Sequence, residues 1–309
     1  MANSYVVSVP ATTANIGPGF DCLGAALTRY NRFTFTPLTG AEPLQITVTG
    51  AEHERVATDA SNLAYVAFSQ FFAHIQQPVP PVRLQIKLGL PLARGLGSSS
   101  TAIVGGILGA NALADQVLSP AELAQLATAI EGHPDNVVPA LLGGCRLATA
   151  NEAGDGMICE VPWQAAIIPI VAIPAFEIST AKARQVLPQH YSRADAVYTL
   201  GHLGLLMQAL ATGNGDWLAT ALGDRIHEPY RKTLIPGYEA VSQAARQAGA
   251  YGVTISGAGP TLLALGSPAQ AAAIAQAMTI TWQQQGIDVV DACPLAIDTT
   301  GATVTAVDA

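Results

Sequence analysis

The chain has 309 residues, of which 50% are hydrophobic and 12% charged, so it is long enough to form two packed domains. A formal charge of −8, with 14 lysines and arginines in total, argues against nucleic acid or an anionic membrane as a partner. The four cysteines have no metal-ligand spacing, the first ten residues lack the regions of an export signal, and no apolar run could span a bilayer. These features favour a cytoplasmic protein with reduced thiols.

The chain begins with a predicted strand at residues 5–9, which Pro10 ends. A loop rich in glycine and proline follows and contains Asn15 and Asp21. Side chains of these types commonly hydrogen-bond the local backbone, and here they could cap a short helix at residues 23–27. Binding of a ligand is the alternative interpretation of both residues.

Four further elements are predicted between residues 32 and 88. Alternating patterns indicate strands at residues 32–37, 44–49 and 82–88, and helical periodicity indicates a helix at residues 62–76. The aromatic residues of that helix recur at helical spacing, which is typical of core packing rather than of a ligand site.

The segment PLARGLGSSST, residues 91–101, follows the strand at 82–88 and opens a helix of small residues. Gly95 and Gly97 allow close approach of the backbone to a ligand, and the first N–H groups of the helix lack intrahelical partners. Free N–H groups at a helix N-terminus bind anions, so the segment is a candidate phosphate loop. It lacks the lysine of a Walker A loop. A glycine turn with a serine N-cap is the alternative.

A predicted helix at residues 120–131 ends with a glutamate at an unfavourable position. Glu131 lies beside the apolar face and at the end of the helix where the dipole disfavours negative charge. We therefore expect a positive group close to this carboxylate. A solvated glutamate is the alternative. Asn136, shortly after it, is a candidate N-cap for a helix at residues 137–142.

The second half contains a predicted strand at residues 167–176, helices at 192–212, 216–223, 236–248 and 268–285, a hairpin around 257–261, and strands near Val289 and Val304. Strands and helices do not alternate strictly, which favours an α+β fold over a doubly wound sheet. We place the domains at residues 1–162 and 163–309. Arg184 and Arg231 are candidate carboxylate ligands, although surface positions are the commoner fate of arginine.

Three segments resemble the GHMP kinases, the family of galactokinase, homoserine kinase and mevalonate kinase. They are VPATTANIGPGFDCLGAAL from residue 9, the loop at residues 91–101, and SGAGPTLLAL from residue 256. The first segment and EGHPDNVVPALLGG, from residue 131, look most like the homoserine kinase branch. The resemblance covers essentially the whole chain. It implies a first domain like domain 2 of ribosomal protein S5 and a ferredoxin-like second domain.

The resemblance also implies roles for individual residues. ATP would be bound by Pro91, Leu92, Ala93, Arg94, Gly95, Leu96, Gly97, Ser98, Ser99, Ser100 and Thr101. Mg²⁺ would be held by Ser99 and Glu131, which form the catalytic set together with Asn136. The amino-acid substrate would be bound by Asn15, Asp21, Asn136, Arg184, Arg231, Gly257 and Gly259.

The implied reaction is transfer of the ATP γ-phosphoryl group to the side-chain hydroxyl of L-homoserine, for threonine synthesis. Mevalonate kinase-like members carry an aspartate where this chain has Asn136, and asparagine cannot act as a base. We therefore expect catalysis by positioning and charge neutralisation. Another small-molecule kinase of the family, a related decarboxylase and an inactive binding module are the alternatives. A homodimer is compatible with the sequence, which does not decide the oligomeric state.

Overall fold

The computed structural model describes residues 3–39, 42–152 and 156–308. The strands are β1 Ser4–Asn15, β2 Gly19–Pro37, β3 Leu44–Gly50, β4 Val82–Leu88, β5 Cys145–Ala150, β6 Gly156–Val161, β7 Ile168–Pro174, β8 Gly252–Ile255, β9 Leu262–Gly266, β10 Val289–Pro294 and β11 Thr303–Val307. The helices are α1 Leu63–His74, α2 Ser98–Leu113, α3 Pro120–Glu131, α4 Pro134–Leu142, α5 Thr180–Gln185, α6 Arg193–Thr212, α7 Gly215–Ala221, α8 Glu228–Arg231, α9 Tyr238–Gln247 and α10 Ala271–Gln284.

The first half is built on a sheet of order β11-β1-β2-β4-β3, with β5 and β6 attached to β2. All of its pairings are antiparallel except β3 with β4. Strand β4 buries every second residue, as its alternating sequence predicts. The buried side of this sheet and helices α1 to α4 share one hydrophobic core. The α+β class is confirmed for this half.

The second half contains an antiparallel sheet of order β10-β7-β9-β8. Helices α9 and α10 pack on it through one core, which includes the buried Trp282. A separate core contains residues of both halves, among them Ile16 and Leu23 from the first and Leu206 and Leu263 from the second. The two sheets are therefore joined by packed side chains, and this fixes the cleft between them.

The elements agree with the sequence patterns at most places, but Pro10 does not end the first strand, because β1 continues to Asn15. Two further differences matter for the site. Residues 23–27 lie in β2, so the helix suggested there is wrong, because this segment pairs with β1 and β5. The short helices α5 and α8 had no periodic signal. The division after residue 162 stays a prediction; it falls between β6 and β7, and β11 returns to the first sheet.

Across the described ranges, no helix combines the length and apolarity needed to cross a bilayer.

Candidate active site

A cavity of about 510 Å³ lies between the two halves, and residues of both line it. It brings together most of the site residues that the sequence predicts: Asn15, Asp21, Leu92, Ala93, Arg94, Gly95, Gly97, Ser98, Ser99, Ser100, Glu131, Asn136, Arg184, Arg231, Gly257 and Gly259. Pro91, Leu96 and Thr101 do not line it. Leu96 packs in the core that joins the halves, and Thr101 hydrogen-bonds Asn31 beneath the loop.

The candidate phosphate loop ends in a helix start without a side-chain cap. Gly97 is the N-cap of α2 in the left-handed conformation, with φ of 68°, and no side chain caps the helix. The predicted alternative of a serine N-cap is therefore wrong. A β-carbon at Gly97 would lie 2.0 Å from the Thr12 hydroxyl oxygen, so only glycine fits. The first N–H groups of α2 remain available to an anion in the cavity.

The second half holds the loop in place from the other side of the cleft. The Ser256 hydroxyl donates to the Gly95 carbonyl over 2.6 Å. Arg94 is 6% exposed, and its guanidinium donates to the carbonyls of Pro174 and Ala175 and to the Glu52 carboxylate. Arg94 was predicted to contact ATP. In the structure its guanidinium instead forms hydrogen bonds that connect the loop to the second half.

Glu131 lies next to the start of α2. Its Oε1 atom accepts hydrogen bonds from the hydroxyls of Ser99, over 3.0 Å, and Ser100, over 2.9 Å. The carboxylate at the end of α3 thus meets the N-terminal end of α2, which offsets the unfavourable helix-dipole position. One carboxylate and two hydroxyl oxygens form a group of hard donors that fits Mg²⁺.

The start of α4 contributes three polar side chains to the cavity. His133 Nδ1 lies 2.5 Å from Asp135 Oδ1, and this hydrogen bond raises the pKa of His133 above its usual value. Asn136 lies within the first turn of α4, and His133 is the N-cap, so the N-cap interpretation of Asn136 is wrong. The Asn136 Oδ1 atom accepts from the Thr12 hydroxyl over 2.7 Å, which fixes the orientation of the amide.

The other end of the cavity carries opposite charges. Arg184 donates to both carboxylate oxygens of Asp21, over 2.9 and 3.0 Å, and this contact raises the pKa of the guanidinium. Arg231 is 2% exposed, and burial lowers its pKa. Its Nη1 donates to the Gly257 carbonyl, which also accepts from the Asn15 amide. This end therefore presents a carboxylate and two guanidinium groups.

Three side chains of the site, His133, Asp135 and Phe20, were not assigned to it by the sequence. His133, Asp135 and Asp21 bring ligand atoms within 4.8 Å of one another, and the ring of Phe20 lies beneath the two arginines at 5.8 and 5.0 Å. His133 and Asp135 lie close to Asn136 in the sequence, but no role was predicted for either of them. Both line the cavity, because α4 presents its N-terminal turn to it. The position of Phe20 next to Asp21 was the only available signal.

Comparisons with known proteins agree with this geometry. The family model "GHMP kinases N terminal domain" matches residues 62–144, and "GHMP kinases C terminal" matches residues 206–284. The homoserine kinase of Trichormus variabilis is 59% identical over 98% of this chain and 99% of its own. The homoserine kinase of Crocosphaera subtropica is 56% identical over 98% of both chains.

The solved structures show the same relationship. The crystal structure of homoserine kinase from Cytophaga hutchinsonii has a TM-score of 0.89 and 29% identity, and the match covers 99% of this chain and 98% of that one. A mevalonate kinase of L. major, solved with R-mevalonate, has a TM-score of 0.69 at 17% identity over 95% and 96% of the two chains, which shows the fold alone. The chain belongs to the GHMP kinase family and, within it, to the homoserine kinases.

Proposed function

We propose that the protein transfers the γ-phosphoryl group of ATP to the side-chain hydroxyl of L-homoserine, giving O-phospho-L-homoserine and ADP for threonine biosynthesis. One observation carries the proposal. A single cavity has an uncapped helix N-terminus at one end and, at the other, Asp21 between two arginines. The first end suits phosphates, and the second suits an amino acid with both of its charges.

The nucleotide would lie along the loop at residues 91–101, as expected for a member of a kinase family. Gly95, Gly97 and the N–H groups of Ser98 to Ser100 would contact its phosphates. Glu131 and Ser99 would hold Mg²⁺, and Ser100 is a further oxygen donor beside them. When bound, the ion neutralises charge on the transferring phosphoryl group. Arg94 would act indirectly, by fixing the loop against the second half.

On binding, the charged groups of the amino acid would replace the contact between Asp21 and Arg184. Its ammonium would pair with Asp21, and its carboxylate with Arg184 and Arg231. Asn15, Gly257 and Gly259 shape the same end of the cavity. Because Arg231 is buried, a ligand without a carboxylate leaves this guanidinium without a charged partner, which is costly. The site should therefore discriminate strongly in favour of a zwitterion.

The transfer needs no dedicated base. The hydroxyl oxygen forms a bond to the γ-phosphorus as the bond to ADP breaks, and the hydroxyl proton leaves late, to the phosphoryl group itself. A loose transition state tolerates this order of events. The Asn136 amide, held by Thr12, orients the hydroxyl, and its oxygen is already occupied as an acceptor. The Asp135 carboxylate lies close to that of Asp21, and together they make this region favourable for the ammonium group.

A coupled ADP-release assay with homoserine, mevalonate and galactose tests the proposal. We expect turnover with homoserine and at most trace turnover with the other two alcohols. Turnover of mevalonate or galactose instead would assign the chain to another kinase of the family, and absence of ATP turnover with every amino-alcohol would indicate a binding module. Cytoplasmic localisation and a homodimer remain predictions, which cell fractionation and sedimentation would check.

A further inference from the structure

Gly17 lies in the turn between β1 and β2, and buried side chains of the second half bind both of its backbone polar groups. Its N–H donates to the Thr254 hydroxyl over 2.9 Å. Its carbonyl oxygen lies 2.9 Å from His227 Nε2. Thr254 and His227 are both 0% exposed. Two side chains that are distant in sequence from Gly17 therefore fix the backbone of this residue on both sides.

The turn has no room to move toward the second half. Gly17 has a φ of 59°, and a β-carbon on it would lie 2.8 Å from the Leu222 carbonyl oxygen. The backbone of the turn is thus in close contact with the C-terminal end of α7. A shift in the other direction would break the hydrogen bonds to Thr254 and His227, so these bonds decide where the turn sits.

This turn carries two of the side chains proposed to bind the amino acid. Asn15 precedes it and Asp21 follows it, and the Asp21 N–H donates to Asn15 Oδ1 over 2.9 Å. Asn15 also donates to the Gly257 carbonyl, where Arg231 donates as well. Any displacement of Gly17 therefore changes the distance between the partner of the ammonium group and the arginines.

His227 can serve in only one tautomer. A carbonyl oxygen accepts and cannot donate, so Nε2 carries the proton that binds Gly17. Burial lowers the pKa of His227 and outweighs the opposite effect of the nearby Asp224 carboxylate, so the neutral ring is favoured. Its Nδ1 has no hydrogen-bond partner among the described residues, so the bond to Gly17 is the only one its ring makes there. The ring also stacks on Phe20, which lies beneath Arg184 and Arg231.

Thr254 is oriented by a buried acid. Its hydroxyl donates to the Glu228 carboxylate, which also accepts from the Ile255 N–H over 2.9 Å. Because the single hydroxyl proton points to Glu228, a lone pair remains for the Gly17 N–H. A valine at position 254 keeps the shape but leaves the Gly17 N–H without a partner.

We propose that His227 and Thr254 are positioning residues of the amino-acid site, which hold Gly17 so that Asn15 and Asp21 face Arg184 and Arg231 at the spacing of a zwitterion. The inference rests on the proposed function, because it assigns the same end of the cavity to the amino acid. It predicts a selective effect on the amino acid, since neither residue contacts the loop at residues 91–101.

The test compares Thr254→Val with Thr254→Ser in the full chain, using KM for homoserine, KM for ATP and thermal melting. Thr254→Val should raise KM for homoserine about tenfold, the factor that about 1.4 kcal/mol represents, with KM for ATP changed by less than about twofold. Thr254→Ser keeps the hydroxyl and should restore KM to within about threefold of wild type. Thr199→Val, which makes the same replacement at a hydroxyl of α6 that has no hydrogen-bond partner in the described part of the chain, is the control.

His227→Leu and His227→Gln repeat the comparison at the Gly17 carbonyl, because the glutamine amide can still donate. The double variant Thr254→Val with His227→Leu should lose less than the product of the single losses, since both act through Gly17. A lower melting temperature with both KM values unchanged, or with both raised equally, would overturn the inference. In that case homoserine turnover by the wild type would still support the proposed function. Lack of homoserine turnover by the wild type would overturn both.

Discussion

The two ends of the cavity are built in opposite ways. The phosphate end is made of backbone from one contiguous segment, residues 91–101, with Glu131 beside it. The amino-acid end is made of charged side chains that are far apart in the sequence, such as Asp21 and Arg184, which are 163 residues apart. Backbone groups give the first end affinity for any phosphate, whereas paired charges give the second end its selectivity.

The residues at the two ends therefore act on different parts of the reaction. The first half supplies the loop, Glu131 and Asn136, which act on the transferring group. The second half supplies Arg184 and Arg231, which in our proposal bind the carboxylate of the amino acid, whereas Asp21 of the first half binds its ammonium group. Substitutions at the two ends should therefore affect different kinetic constants, and the following predictions test this separation in order of decreasing effect.

The largest effect is expected at the phosphate end. Glu131→Gln removes a charge from the proposed metal site and should lower kcat by roughly two orders of magnitude, about 3 kcal/mol, with KM for homoserine unchanged. Steady-state kinetics over a range of Mg²⁺ concentrations would measure this. Glu160→Gln, at an exposed acid paired with Arg146, is the matched control. A wild-type kcat for Glu131→Gln would restore the interpretation of Glu131 as a solvated glutamate.

The next effect is expected at the amino-acid end. Arg184→Ala should raise KM for homoserine on the order of 100-fold, roughly 2 to 3 kcal/mol for a charge-assisted contact, while KM for ATP stays close to wild type. Arg225→Ala is the control, because Arg225 is an exposed arginine of the same half that stacks on Tyr198. Equal losses for homoserine and for an uncharged amino-alcohol would contradict binding of a carboxylate by Arg184.

A smaller effect is expected where the two ends meet. Asn136→Ala should lower kcat about tenfold, near 1.4 kcal/mol, because the Asn136 amide orients the hydroxyl of the substrate and binds no charged group. KM for homoserine should change by less than about threefold. Single-turnover kinetics would separate the transfer step from product release. Thr12→Val should reproduce part of the loss, since Thr12 holds the amide; an effect confined to KM would point to a binding role instead.

The smallest effect concerns stability behind the amino-acid end. Burial raises the pKa of Glu228 to about 7, against the hydrogen bonds from Thr254 and Ile255. The folded state then binds a proton at Glu228 more tightly than the unfolded state does. The contribution of this proton to stability is therefore full below about pH 4.5 and is lost as the pH rises through 7. Between pH 5.5 and 6.5 the wild type should lose about 1 kcal/mol.

Glu228→Gln should flatten that dependence, because the amide oxygen still accepts from Thr254 and Ile255 but carries no charge. Urea denaturation at pH 5.5 and 6.5 would measure the difference. Glu239→Gln, at an exposed acid near the same helix, should leave the slope as in wild type. An equally steep slope for Glu228→Gln would show that another group titrates.

The contrast between the ends also explains what the sequence could predict. Strand β4 and helix α3 are local patterns, and the sequence placed both at the bounds that the structure shows. The loop at residues 91–101 is also a local pattern, and most of its residues line the cavity. The roles of Thr12, Phe20 and His227 depend on contacts across more than 100 residues, which no local pattern encodes. The start of β2 was missed because pairing with β1 outweighs the local preference of residues 19–27.

The return of the last strand to the first sheet has a consequence for synthesis of the protein. Strand β11 pairs with β1 from Ser4 opposite Val307 to Ser8 opposite Thr303. On the ribosome, β1 emerges long before its partner, because both halves separate the two strands along the chain. The edge of the first sheet therefore stays open while the second half is translated, and an unpaired strand edge invites pairing with other chains. The nascent protein is most exposed to misassembly and to chaperones during that interval.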